Sequence, residues 1–179
     1  MLKGHQIYLR TFNDSDIEPF QVLNTDIQNR GEYFPLDLDS DVGLKKWYNE
    51  TGLWDNKFGR MLIFSNNNEI LGYINYFKAI DYFESLEIGY IIFDETKRGK
   101  GITTEAVNLF TDYLFKSKRI TRLEIRCNPE NIASKRVAEK CGYKFEGISR
   151  GFKRKAGELR DIENYGITVD DWNGQRGKK

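Results

Sequence analysis

The stretch Leu86–Ala106, "LEIGYIIFDETKRGKGITTEA", passes from a strongly apolar run through a glycine-bracketed basic turn into a helical pattern. Apolar residues recur at three and four over Ala106, Val107, Leu109, Phe110, Tyr113 and Leu114, which predicts a helix over about Thr103 to Phe115. A strand that enters "RGKG" and leaves as a helix puts several unpaired backbone N–H groups at the helix start. Without side chains at Gly99 and Gly101, an anion can approach them closely. Two phosphate motifs fail here. A P-loop needs Ser or Thr directly after "GK", where Gly101 stands, and the dinucleotide fingerprint needs a third glycine, where Thr104 stands. Taken alone, the pattern also fits a solvated turn whose lysines serve solubility.

Elements on both sides frame this turn. "QIYLRTF" reads as a first strand, and "NDSD" as a cap for a helix over about Ser15 to Leu23. "NRGEYFPLDLDSD", Asn29–Asp41, is broken by glycine and proline before Leu44, Trp47 and Tyr48 resume a helical spacing. "RMLIFS", a tight "NNN" and "EILGYINYF" predict a β-hairpin, since asparagine tolerates positive φ. Beyond the quoted stretch, "RLEIRC" reads as a strand and "NPENIASKRVAEKCGY" as a short asparagine-capped helix stopped by Gly142. Short strands at "YKFEG" and "IENYGITV" enclose "RGFKRKAGELRD", and a polar tail comes last.

A chain of 179 residues with 39% hydrophobic content suits one core, so a single domain over 1–172 with a tail at 173–179 is expected. With 28 Lys and Arg against 27 Asp and Glu, net charge gives no reason to expect nucleic-acid or membrane binding, so any basic function is local. The opening "MLKGHQIYLR" has no apolar run of signal length, and no window approaches about 18 apolar residues, so a soluble, cytoplasmic protein is expected. Cys127 and Cys141 lack a C-x-x-C partner and read as buried thiols. The single histidine, His5, gives little to a catalytic triad or a histidine-rich site, and no metal is expected.

The order of the quoted stretch, then "RLEIRC", then "NPENIASKRVAEKCGYKFEG" resembles the acetyl-CoA half of the GNAT N-acetyltransferase superfamily. It is most similar to the branch holding the ribosomal-protein amino-terminal acetyltransferases and the spermidine acetyltransferases. The likeness is strong over Leu86–Gly147, extends to "ENYGITV" and to the opening "YLR" with its acidic turn, and holds only in layout over residues 25 to 60. It implies an α/β fold with a mixed twisted sheet of about six to seven strands flanked by about four helices, and a splayed strand pair that forms the acetyl-CoA cleft.

The resemblance also implies roles. The family's pyrophosphate pattern is met by Arg98 and Gly101, with Thr103 departing from it at the last place; its β-branch weakens binding or its hydroxyl donates to a phosphate. Backbone N–H groups over Gly99, Lys100, Gly101, Ile102 and Thr103 hold the pyrophosphate, while Lys97, Arg98 and Lys100 add charge. Pantetheine pairs with the strand of Tyr90, Ile91, Ile92 and Phe93, whose N–H groups polarise the acetyl carbonyl. Asn131 steadies the pantetheine arm, and Asn128 and Lys135 complete the cofactor contacts. Ala138 stands where many members have tyrosine, so Ser134 is the candidate acid, with ordinary helix-start polarity as its alternative. Glu87 is the candidate base, or a solvated strand end. The branch's loop glutamate aligns near Lys153, and Glu146 and Glu158 are reserves.

These implications amount to an N-acetyltransferase that uses acetyl-CoA and acts on a primary amine: a protein amino terminus or a polyamine-like molecule. A homodimer is an open expectation. The rival reading is a non-catalytic protein of this fold that binds CoA, or docks to RNA or the ribosome through Arg150, Lys153, Arg154, Lys155 and Arg160 around Phe152. Glu32, Tyr33, Phe34 and Asp37 are expected to form the acceptor site, where carboxylates attract an ammonium and rings hold it by cation–π contact. Asp39 and Ser40 alternatively do no more than cap the next helix.

Overall fold

The computed structural model describes residues 1–34, 38, 40–78, 83–155 and 157–176. These residues form eight strands and five α-helices, an α/β fold of the expected class with one more strand and one more helix than the sequence reading allowed. Their contacts divide into two compact units, Met1–Phe77 with Gly89–Phe110, and Lys78–Ile88 with Thr111–Lys179.

In the first unit, β1 (Leu2–Lys3) and β2 (Ile7–Arg10) lead to a 3-10 turn at Asp14–Asp16 and to α1 (Ile17–Thr25). The acidic turn caps its helix as expected, through a capping box between Asn13 and Asp16, and has a second task. Asp16 takes a forked ion pair from Arg10, with Nη2 to Oδ1 at 2.8 Å, and also accepts the Asn13 N–H at 2.7 Å. Asp14 accepts the Tyr48 hydroxyl at 2.7 Å. After a 3-10 turn at Ile27–Arg30 comes α2 (Asp41–Thr51), capped by the Ser40 hydroxyl on the Gly43 N–H at 3.0 Å. Asp39 lies outside the described residues.

The expected hairpin is present as β3 (Phe58–Ser65) and β4 (Ile70–Phe77), and Asn68 adopts the positive φ that its turn demands. β5 (Ser85–Ile92) runs beside β4, where Gly72 is obligatory because any side chain would collide with the Ile91 carbonyl. α3 (Ile102–Ser117) begins in this unit. Phe12, Phe20, Leu44, Leu53, Leu62, Tyr73 and Phe93 make its core, with Phe20 packed edge-on against Phe12 and Tyr73. Burying each such side chain contributes about 1.5–3 kcal/mol.

In the second unit the start of β5 runs parallel to β6 (Arg122–Cys127), pairing Ser85, Leu86 and Glu87 with Arg122, Leu123 and Glu124. Leu123, Ile125 and Cys127 alternate into the interior, as a half-buried strand requires. α4 (Ile132–Lys140) comes next, with the Asn131 side chain capping the Ser134 N–H at 3.1 Å and Gly142 leaving the helix at φ +80°.

The last third corrects the sequence reading. "RGFKRKAGELRD" is not enclosed by short strands but belongs to them: β7 (Lys144–Lys155) and β8 (Glu158–Thr168) form one long hairpin, bulged between Phe145 and Gly147 and between Ser149 and Lys153. β7 buries none of its residues, so it carries no period-two signal. Nor do residues 173–176 trail away. They lie in α5 (Val169–Arg176), started by the Thr168 hydroxyl accepting the Asp171 N–H at 3.1 Å and anchored by Trp172 stacked on Phe115 at 5.3 Å.

Candidate active site

Within the first unit, the turn between β5 and α3 is built for an anion. Gly99 and Gly101 take left-handed conformations, at φ +73° and +84°. Such residues turn successive N–H groups to one side, as in anion-binding nests. Among the described residues, the backbone N–H groups of Gly99, Lys100, Gly101, Ile102 and Thr103 make no hydrogen bond. Five free donors meet the positive end of the α3 dipole, and a hydrogen bond to a charged acceptor contributes about 1.5–3 kcal/mol. No protein atom lies within 4 Å of a side chain built at Gly99, so within the fold glycine there answers to its φ.

The charges behave differently from expectation. Arg98 turns back onto the fold, with Nε on the Ile92 carbonyl at 3.0 Å and Nη2 on the Asn29 and Phe93 carbonyls at 3.0 and 3.1 Å. Lys97 pairs with Glu69 at 3.2 Å. Of the three cations, Lys100 alone has neither an ion pair nor a side-chain hydrogen bond among the described residues. Arg98 therefore shapes the turn, and Lys100 is the exposed charge. Two residues that sequence reasoning missed brace the same turn: Gln6 donates to the Lys100 carbonyl at 3.4 Å, and Glu105, in the first turn of α3, accepts the His5 and Gln6 N–H groups. Neither carries a motif.

On β5, Ile91 and Ile92 are buried and Tyr90 is half-buried; Phe93, just past the strand, is buried. The Phe93 N–H is already bonded to the Leu71 carbonyl at 3.0 Å, and its ring packs with Phe20 and Tyr73. The carboxamide of buried Asn75 lies against Gly89, where even a methyl would sit 3.3 Å from its Oδ1. In the acceptor loop, Glu32 is exposed and Tyr33 half-buried, while Phe34 packs edge-on against Tyr73 at 6.2 Å and has the Arg30 guanidinium 5.5 Å from its ring. That ring already has a cation. Asp37 lies outside the described residues.

Within the second unit, Glu87 sits with its side chain 14% exposed, its Oε2 3.5 Å from Arg126 Nε. Burial pushes its carboxyl up to about 7, Arg126 opposing and Glu124 adding to the rise. A carboxyl that titrates there can exchange a proton at neutral pH. Neither Arg126 nor Glu124 was singled out in the sequence, because cross-strand register cannot be read from it.

At the start of α4, Asn128 accepts the Glu130 N–H at 3.1 Å, forming the turn that presents Asn131. Asn131 uses Oδ1 as the cap, and its Nδ2 has no partner among the described residues. The Ser134 hydroxyl bonds the Cys127 thiol, which burial nonetheless pushes up to about 11. Lys135, read as a cofactor contact, is met by buried Glu163 at 3.0 Å. Ala138 is fully buried. Lys153 stands opposite Arg160 in the β7–β8 register; of the two reserves, Glu146 is held by Arg122 at 2.7 Å and Glu158 is paired with Arg160, so neither offers a free carboxylate. Among the described residues no group of His, Cys, Asp and Glu could hold a metal ion, and no helix is long and apolar enough to cross a membrane.

A nest of free amides at a helix start, lacking P-loop and dinucleotide residues, suits a phosphorylated ligand. Residues 6–144 match the acetyltransferase (GNAT) domain family, and the chain belongs to that family. It is an acyl-CoA-dependent N-acetyltransferase, with acetyl-CoA as co-substrate. It is 32% identical over 158 residues to a probable N-acetyltransferase, YjcK, of Bacillus subtilis, covering 84% of this chain and 87% of the relative. Against the ribosomal-protein-serine acetyltransferase of Escherichia coli it is 25% identical over 113 residues, 63% of each chain. The solved spermidine N-acetyltransferase of Vibrio cholerae, a complex with CoA and spermine, has the same fold: TM-score 0.80 at 22% identity, covering 94% of this chain and 98% of that one.

Proposed function

We propose that this acetyltransferase moves the acetyl group of acetyl-CoA onto a primary amine by direct attack in a ternary complex, the acceptor being a protein amino terminus or a small polyamine. The observation that carries the reading is the run of five unbonded N–H groups over Gly99–Thr103, which suits a pyrophosphate. The names of relatives acting on ribosomal protein and on spermidine support the acceptor classes.

In this reading Glu87 takes a proton from the ammonium, directly or through water. The neutral amine attacks the thioester carbonyl; the C–N bond forms, the C–S bond breaks, Ser134 gives its proton to the leaving thiolate, and the second proton lost by the acylated nitrogen restores the Ser134 hydroxyl. The acetamide and CoA leave, and Glu87 returns its proton to solvent. Asn131 Nδ2 orients the pantetheine arm, Asn128 shapes the turn that presents it, and Lys135 acts through its pair with Glu163. Tyr90, Ile91 and Ile92 offer backbone to pantetheine, Phe93 supports them from the core, and Glu32 and Tyr33 meet the acceptor, beside Phe34.

The test is release of free thiol from acetyl-CoA with peptides beginning in Ser or Ala, with spermidine, and with neutral amines of matched size. Turnover on one cationic class, weakened by Glu32→Gln as a rise in acceptor KM, is expected. CoA binding in calorimetry without thiol release for any amine would overturn the reading in favour of a binder.

A further inference from the structure

Five charged side chains of the second unit alternate in sign across its strands: Glu87 on β5, then Arg126, Glu124 and Arg122 on β6, and Glu146 on β7. The register demands this. Glu87 stands directly opposite Glu124 in the parallel pair, and facing carboxylates repel. Arg126 reaches both, but unequally. Its Nη2 bonds Glu124 at 2.9 Å, whereas its Nε lies 3.5 Å from Glu87 and, though buried, makes no hydrogen bond. The first is a full hydrogen bond and the second a Coulombic contact only. Glu124 is also held by Arg122 at 2.9 Å, and the Phe152 ring lies 5.5 Å from the Arg126 guanidinium carbon, restraining it further.

We propose that Arg126 is a positioning residue for acetyl transfer: it holds Glu87 through an ion contact kept incomplete by its stronger bond to Glu124. The competition of two carboxylates for one guanidinium then sets the pH at which Glu87 becomes a base. The inference rests on the reading of Glu87 as that base. The ionisable groups bearing on the Glu87 carboxylate are Arg126, which favours its charged form, and Glu124, which opposes it; burial opposes it more strongly than either. Removing one neighbour should therefore move Glu87 in the opposite direction from removing the other. A pair that only stabilised the sheet would shift the Glu87 titration in the same two directions but would leave the acid limb of kcat/KM unmoved.

Two measurements test this on the full chain: the carboxyl resonance of Glu87 in protein labelled with carbon-13 glutamate, followed against pH, and the acid limb of kcat/KM. Arg126→Gln should raise both midpoints by about one pH unit, and Glu124→Gln should lower both. Arg126→Lys, which keeps the charge, should lie between Arg126→Gln and the natural protein. If Arg126→Gln does not fold, Glu124→Gln and Arg126→Lys carry the test alone. Shifts of one sign in both substitutions, or resonances that stay put in folded variants, overturn the coupling. A Glu87→Gln enzyme with an unaltered pH profile would instead remove the base assignment, a separate failure.

Discussion

Arg98 Nε donates to the Ile92 carbonyl at 3.0 Å, tying the glycine turn back to the end of the strand it leaves. With two further carbonyls on Nη2, the guanidinium works as a clamp. Arg98→Met should raise the KM for acetyl-CoA about tenfold, with little dependence on salt, because it loosens the loop. Lys100→Ala should cost less, about threefold, and its effect should vanish at high ionic strength, because an exposed charge is screened. KM measured at low and high salt for both separates clamp from charge; equal salt dependence would refute the division.

Gly101 is held at φ +84°, with only Gln6 Nε2, at 3.6 Å, near a built side chain. A side chain there costs about 1–2 kcal/mol through the backbone. Gly101→Val should cripple acetyl-CoA binding by filling the approach to the free amides, while lowering Tm by only a few degrees, since about 1 kcal/mol moves a chain of this size by about 2–4 °C. Unchanged affinity in calorimetry would remove the cradle.

The buried Glu87 carboxyl also predicts a pH dependence of stability. An unfolded glutamate ionises near 4.5, while burial first, and Glu124 to a lesser degree, hold the folded one near 7 against the pull of Arg126. Between these values the folded state binds more protons, so stability falls as pH rises and the loss is complete above about 7. Glu87→Gln should therefore leave stability nearly unchanged at pH 4 and raise it at pH 8 by on the order of 2–3 kcal/mol. Urea unfolding at both pH values checks this, and a variant less stable at pH 8 would contradict it.

Ser134→Ala should lower kcat more than it raises the KM for acetyl-CoA, as loss of a group acting on the leaving thiolate requires. A pure KM effect would make Ser134 a binding residue only. The same substitution removes a hydrogen bond from the Cys127 thiol, already pushed up to about 11 by burial, so alkylation of the native protein at pH 8 should stay slow in both forms.

Much of the fold is legible in the sequence. The period of three and four over Ala106–Leu114, the asparagines of the β3–β4 turn and the glycines at 99 and 101 each state a local requirement that the fold then meets. The β7–β8 hairpin is not legible, because β7 buries nothing and Gly147, Gly151 and Gly157 read as breaks. Nor is α5, whose polar sequence presents no apolar stripe beyond Trp172. The functions of charges are the least readable: Arg98, Asp16 and Lys135 each look available for ligand or helix dipole and each is engaged inside the fold. Which cation meets which carboxylate depends on register and long-range packing.

The two glycine positions beside β5 also set different evolutionary histories. At Gly72 the obstacle is the Ile91 carbonyl itself, a backbone atom that no neighbouring substitution can trim. At Gly99 the surroundings are open and only φ is constrained, which asparagine tolerates. Descendants of this sequence can thus wander at 99, through asparagine, while position 72 stays frozen for as long as the two strands remain neighbours.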